Sequence, residues 1–223
     1  FSLTANTTAV GNSAFGNESL EANTTGTLNT ALGWSSLNTN TTGNNNTAVG
    51  SSAAYATTTG SNNVAVGMNA FTLNTTGQSN AVLGQAALGS NTTGSDNTAV
   101  GRLSLHNSTT SSNNTAVGSN SLVANTTGTS NVAMGKAALG VNTTGDNNTA
   151  IGFEALRDNT TGSRNTGIGI NALYTTTTGV NQIALGREAI ASSATASNQC
   201  TLGDNNISNL RCNDTSISSL SDS

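Results

Sequence analysis

Charged groups, aromatic rings and cysteines are all scarce in this chain, and each scarcity removes a class of protein. Of 223 residues only 7% are charged and 3% aromatic, where an ordinary domain carries about 25% charged residues. The basic side chains (Arg102, Lys136, Arg157, Arg164, Arg187 and Arg211) are scattered through a chain of formal charge −4. A nucleic-acid surface needs a concentrated basic patch, so no nucleic-acid partner is expected. No apolar run approaches the length of a bilayer span, so no membrane insertion is expected either. Cys200 and Cys212 match no metal-ligand spacing, and one pair cannot define a disulfide framework. Free thiols and an interchain bridge both stay open. His106 is the single histidine, and the carboxylates from Glu18 to Asp222 are spread without a recurring pair. General acid–base chemistry needs groups held close together. The chain therefore reads as a non-enzyme without cofactor or metal. It begins at Phe1 with no signal-peptide pattern and reads as a piece of something longer.

What fills the chain instead is Asn, Thr, Ser, Gly and Ala in strict register. A glycine returns every 17 residues, from Gly16 through Gly33, Gly50, Gly101 and Gly118 to Gly203, with no insertion or deletion. Low complexity alone suggests disorder, but a disordered chain needs no register. Fixed-period self-similarity outranks local propensity, because it determines the whole architecture.

Four positions before each glycine stands an Asn, as at Asn29, Asn46, Asn97 and Asn114, giving way to Gln182 and Gln199 at the end. Immediately before the glycine is an apolar residue: Leu32, Val49, Val100 and Val117 are typical. A second apolar column follows four positions after it, from Leu20 and Leu37 to Leu173 and Ile190. Asn-Thr-Thr-Gly turns such as Asn23–Gly26 complete the unit. A helix would consume most of such a repeat and be weakened by its glycines, whereas Gly and Asn suit turns that require positive φ. The spacing predicts a parallel β-solenoid of about twelve 17-residue coils over residues 1–203, each with two short strands and two turns. At ~4.8 Å per coil the rod is on the order of 60 Å long. Residues 204–223, outside the period, read as a cap in which Ile207, Leu210, Ile217 and Leu220 pack around an axis.

Stacking assigns a task to each column. The two apolar columns are expected to be buried ladders, and the Asn29 column an amide-to-amide ladder along the axis. Thr fills two turn columns without exception, Thr7 to Thr177 and Thr8 to Thr178. In Ala31-Leu32 and Ala48-Val49 the apolar residues are adjacent, so a strand projects them to opposite faces. A strand apolar on both faces is buried on both. The expectation is that the Leu32 column fills the coil, that the Ala31 column meets another chain, and that three identical rods associate laterally.

The unit Asn-Thr-Ala-Val-Gly-x-x-Ala-Leu, over about residues 6–203, resembles the head repeats of trimeric autotransporter adhesins. That resemblance implies a left-handed parallel β-roll with three chains around one axis. The Asn-Thr-Thr-Gly style is also similar to repeats in tail fibres of bacteriophages and surface proteins of large viruses. The closing Thr215–Ser223 stretch resembles the junction before an intramolecular chaperone of the endosialidase, or peptidase S74, type. In that family the chaperone drives trimerisation and is released by self-cleavage at a Ser-Asp bond, which Ser221-Asp222 matches. The rest of such a chaperone is absent from the chain.

These resemblances imply a structural attachment protein: the distal part of a viral tail fibre, located in the virion. Its partners would be itself as a homotrimer, other fibre or virion proteins, and a host glycan or protein receptor. A bacterial adhesin head at the cell surface is the alternative, and an ice-binding solenoid using the Thr columns a third. Trp34, Tyr55 and Tyr174 interrupt small or polar columns and are read either as receptor contacts or as fillers of a chain-chain seam. Asn6, Asn23, Asn40, Asn74, Asn91, Asn125, Asn142 and Asn159 satisfy the N-glycosylation pattern but read more simply as turn residues.

Overall fold

A computed structural model describes residues 1–204, 206 and 207. The chain winds as an all-β parallel solenoid with no helix among these residues. Twelve strands of three residues each, from β1 (Ser13–Phe15) and β2 (Thr30–Leu32) to β12 (Cys200–Leu202), form one parallel sheet in sequence order. Every pair is offset by one repeat, as in Ser13 against Thr30 and Ala14 against Ala31. The eleven steps between the twelve strands give a rod on the order of 50 Å long at ~4.8 Å per step.

Each coil contains one strand rather than the expected two. The stretch carrying the second apolar column is a chain of turns in which left-handed residues recur. Glu18, Leu20 and Leu28 have φ of 58°, 49° and 58°, and their equivalents repeat these values along the rod. None of these left-handed residues is Val, Ile or Thr, although those types abound elsewhere in the chain. The reason is steric, since a side chain branched at Cβ collides with its own backbone at positive φ. Ile190 confirms the rule by breaking it. It occupies the Leu column, does not take positive φ, and lies 44% exposed beside buried Ala189.

The lumen is narrow and filled by four kinds of side chain. Leu20, Leu37, Leu88, Leu105, Leu122, Leu139 and their equivalents are fully buried, alongside a column of Ala or Ser such as Ser19 and Ala53. Strand residues Ala31, Ala48, Ala99 and Ala116 complete the apolar part, and the Asn columns supply the polar part. Here the expected faces are exchanged. Ala points inward, whereas Leu32 and Leu83 are 46% and 51% exposed and Val49, Val100 and Val117 are half-buried on the outside. With Leu side chains and Asn amides already inside the coil, only a methyl group fits where the strand crosses it. The pleat then sends the larger neighbour outward.

Two glycine columns let coils approach this closely. Gly101 has φ 127°, and a Cβ there would stand 2.7 Å from the carbonyl oxygen of Gly118 in the next coil. Such contact excludes any side chain, independently of the backbone angle that disfavours one.

Polar side chains tie the coils together. In the Asn29 column the side-chain oxygen accepts the backbone N–H of the next Asn (Asn46 N to Asn29 Oδ1, 2.9 Å), and the amide donates to a turn carbonyl (Asn46 Nδ2 to Gly60 O, 2.8 Å). The strongest bonds of this column are thus to the backbone. The expected amide-to-amide ladder is present beside them from Asn46 to Asn148 with longer bonds, as in Asn80 Nδ2 to Asn63 Oδ1 at 3.1 Å. A second amide ladder runs through the first residue of the Asn-Thr-Thr-Gly turn, as in Asn40 Nδ2 to Asn23 Oδ1 at 2.8 Å and Asn159 Nδ2 to Asn142 Oδ1 at 2.8 Å. It is interrupted at Thr57, Ser108 and Thr176. The oxygens of this ladder left without a partner among the described residues, on Asn40, Asn91 and Asn159, lie one coil before these interruptions.

Candidate interaction surfaces

The sheet has an unpartnered outer face. Along it run the first and third residues of each strand: Thr30 and Leu32, Val64 and Val66, Ala81 and Leu83, Thr149 and Ile151, Ile183 and Leu185. Phe15, Val64, Leu83, Met134, Ile168 and Ile183 are all exposed on this face. The column after the glycine widens it intermittently, because Trp34, Met68, Phe153 and Ile170 are also exposed. The third strand column is apolar along the whole rod, the first is mostly Ser or Thr, and the column after the glycine adds Arg102, Lys136 and Arg187 to its apolar members. Contiguous apolar area of this extent is unusual on a monomer.

Trp34, Tyr55 and Tyr174 do not form one site. Trp34 is 54% exposed and follows a strand, whereas Tyr55 and Tyr174 stand in a different column, within the turns. Tyr55 and Tyr174 are seven coils apart, on the order of 30 Å. Sequence reasoning missed Met68, Phe153 and Ile170 as surface groups. The available signal was that the position after the glycine changes character from coil to coil, unlike the columns that build the lumen.

Coils around residues 136–188 hold the described ion pairs and cation–aromatic contacts. The Arg157 guanidinium grips Asp158 through two bonds (Nε to Oδ1, 2.7 Å; Nη2 to Oδ2, 2.9 Å) and Glu154 through a third (Nη1 to Oε2, 2.8 Å). The bond to Asp158 is the largest reason that the Arg157 pKa is raised, with Glu154 adding to it against a desolvation cost. The same guanidinium lies 5.5 Å from the centre of the Tyr174 ring in the next coil. Lys136 repeats the arrangement over Phe153 at 5.7 Å. Side chains one repeat apart stack directly, so a cation followed by an aromatic residue in one column forms such a pair automatically.

The two Thr columns serve different ends. Thr24 and its equivalents are half-buried, with each hydroxyl donating to the Thr carbonyl one coil on (Thr24 Oγ1 to Thr41 O, 3.0 Å). Thr25 and its equivalents are exposed. Adjacent threonines therefore do not make a double row on one face.

Among the glycosylation-pattern residues, Asn23, Asn40, Asn74, Asn91, Asn125, Asn142 and Asn159 are fully buried in the amide ladder, and Asn6 alone is exposed. His106 is half-buried, its Nδ1 2.8 Å from the carbonyl oxygen of Ala86. Cys200 is exposed at the outer position of β12 and has no disulfide partner among the described residues. Cys212, Leu210, Ile217, Leu220, Ser221 and Asp222 lie outside the described residues. Among those described, no three His, Cys, Asp or Glu side chains are grouped to hold a metal.

Comparison with family models, with curated proteins and with solved structures finds no match to this chain.

Proposed function

We propose that this chain is a structural attachment protein, the shaft of a viral tail fibre in which three copies associate along their sheet faces. The observation that carries this reading is the apolar column that runs unbroken along the outer face from Phe15 to Leu202. A single copy leaves that face in water, and burial stabilises by about 25 cal/mol per Å² of apolar surface. Closed association of identical rods covers it on every copy at once, without leaving a free edge for further growth. The regular coil supports the same reading, since a shaft needs axial bonds at every level and no insertion. The resemblance of the tail around Ser221-Asp222 to a chaperone junction favours a viral fibre over a bacterial adhesin. An ice-binding role draws less support, because the Thr pairs are divided between a half-buried and an exposed column.

Sedimentation equilibrium on purified chain tests the proposal. The expected mass is three times the 22.1 kDa of one chain, and a stable monomer at micromolar concentration would reject it.

A further inference from the structure

A crevice opens near the C-terminal end of the rod, where coil geometry changes. Its volume is about 380 Å³, and its walls include Asn171, Tyr174, Glu188, Ile190, Thr201 and Asp204. The cause lies in the sequence. Ile190 cannot take the left-handed turn that Leu173 takes one coil earlier, so it faces outward and becomes an apolar wall. In the Tyr174 column the next residue is Ala191, too small to cover the ring.

The walls combine a fixed aromatic ring with polar groups, most of them acceptors. Arg157, itself pinned by Asp158 and Glu154, braces the Tyr174 ring from the preceding coil. A ring already held in place costs little entropy when a ligand lands on it. Glu188 pairs with Arg187 at 2.9 Å, which offsets its charge. Asp204 accepts from the backbone N–H of Asn206 at 2.9 Å and from its side-chain amide at 3.0 Å. These bonds, the backbone one first, lower the pKa of Asp204, so it is a carboxylate at neutral pH.

We propose that this crevice binds a neutral saccharide, with a sugar ring lying against Tyr174 and Ile190 and its hydroxyl groups donating to Asp204 and Glu188. The volume is within the range of small-molecule sites. An aromatic face beside carboxylate acceptors suits a ligand that has C–H faces and many O–H donors. The Asp204 carboxylate, its charge only partly offset by Arg187, disfavours acidic sugars. A simple metal cation has no use for the aromatic wall. This inference rests on the attachment reading for its biological sense, because a glycan is one of the two receptor classes that reading allows.

The test applies the whole chain to an immobilised array of neutral and acidic oligosaccharides, with its mass measured in parallel. The expected result is retention on neutral glycans only. Tyr174→Ala should lower the signal at least ~10-fold, the scale of losing one aromatic anchor, while Tyr174→Phe keeps it and Asp204→Asn admits acidic sugars. Thermal unfolding of each variant, unchanged from wild type, establishes that the rod is intact. The proposal is overturned if no neutral glycan is retained, if acidic glycans are preferred, or if Trp34→Ala abolishes binding while Tyr174→Ala does not. Glycan binding by a monomeric chain would reject the trimeric shaft and keep the site. A trimer that retains no glycan would reject the site and keep the shaft.

Discussion

Leu105 shows how much a single position can ask of a residue. It is fully buried and has φ 52°, so it needs an apolar side chain that is unbranched at Cβ. Leu, Phe and Ala meet that demand in this column, and the one Ile, at 190, leaves both the conformation and the lumen. Leu105→Ile should therefore destabilise well beyond a volume-conserving swap, by about 1–3 kcal/mol of added backbone strain. Leu105→Met, which changes shape without branching at Cβ, should cost less than about 1.5 kcal/mol. Urea unfolding of the two variants gives the comparison, and equal midpoints would refute the argument. The left-handed column was legible in the sequence in one respect, the avoidance of β-branched residues. Apolarity alone hid it, because a Leu column looks the same whether it stands on a strand or on a turn.

At the scale of the turn, the irregular sixth coil is a matched pair of changes rather than a defect. Elsewhere a Cβ at the turn glycine would crowd the Asn amide, as at Gly77, where it would stand 2.5 Å from Asn74 Oδ1. In the sixth coil Ser108 replaces the Asn and Ser111 replaces the Gly, and the two hydroxyls bond to each other. Ser111 Oγ then accepts from Asn114 Nδ2 at 3.1 Å and Asn125 Nδ2 at 3.2 Å, taking over contacts that the amide ladder provides in other coils. Ser193 and Ala196 repeat the combination of a short first residue and a turn residue with a Cβ. Ser108→Asn alone should drive its amide into Ser111 and destabilise, and Ser111→Gly alone should take one acceptor from each of two buried amides, leaving them their bonds to Gly128 O. The double variant should restore the standard turn and regain wild-type stability or better. A double-mutant cycle by thermal unfolding should give a coupling of about 1–3 kcal/mol, and additive effects would contradict the pairing. The sequence marked this turn as degenerate, but its internal compensation needed the side-chain geometry.

For the molecule as a whole, stability is a sum over coils and their nearest neighbours. Excising residues 69–85 joins Met68 to Ala86 and removes one full repeat with every column kept in phase. Such a chain should fold, lose one strand and shorten by ~4.8 Å, as small-angle scattering and circular dichroism can measure. Excising residues 69–77 alone should abolish the cooperative transition, because the Leu, Asn and Gly columns then fall out of step. If both deletions behaved alike, the columns would not be what holds the rod.

The period by itself determined the solenoid, its repeat length and its parallel register, because identical residues a fixed distance apart can satisfy identical surroundings only by stacking. The lone Asn-Thr-Thr-Gly turn, its Asn and its Gly were equally readable, since few residues tolerate the backbone angles and close approaches that such turns impose. Only the tertiary structure decided which side of each strand is inside. Alternation states that Ala31 and Leu32 point in opposite directions; it carries no information on which direction is the lumen. That choice depends on the volume left inside the coil after Leu37 and the Asn amides are placed, and this volume admits Ala31 and turns Leu32 out to form the apolar face.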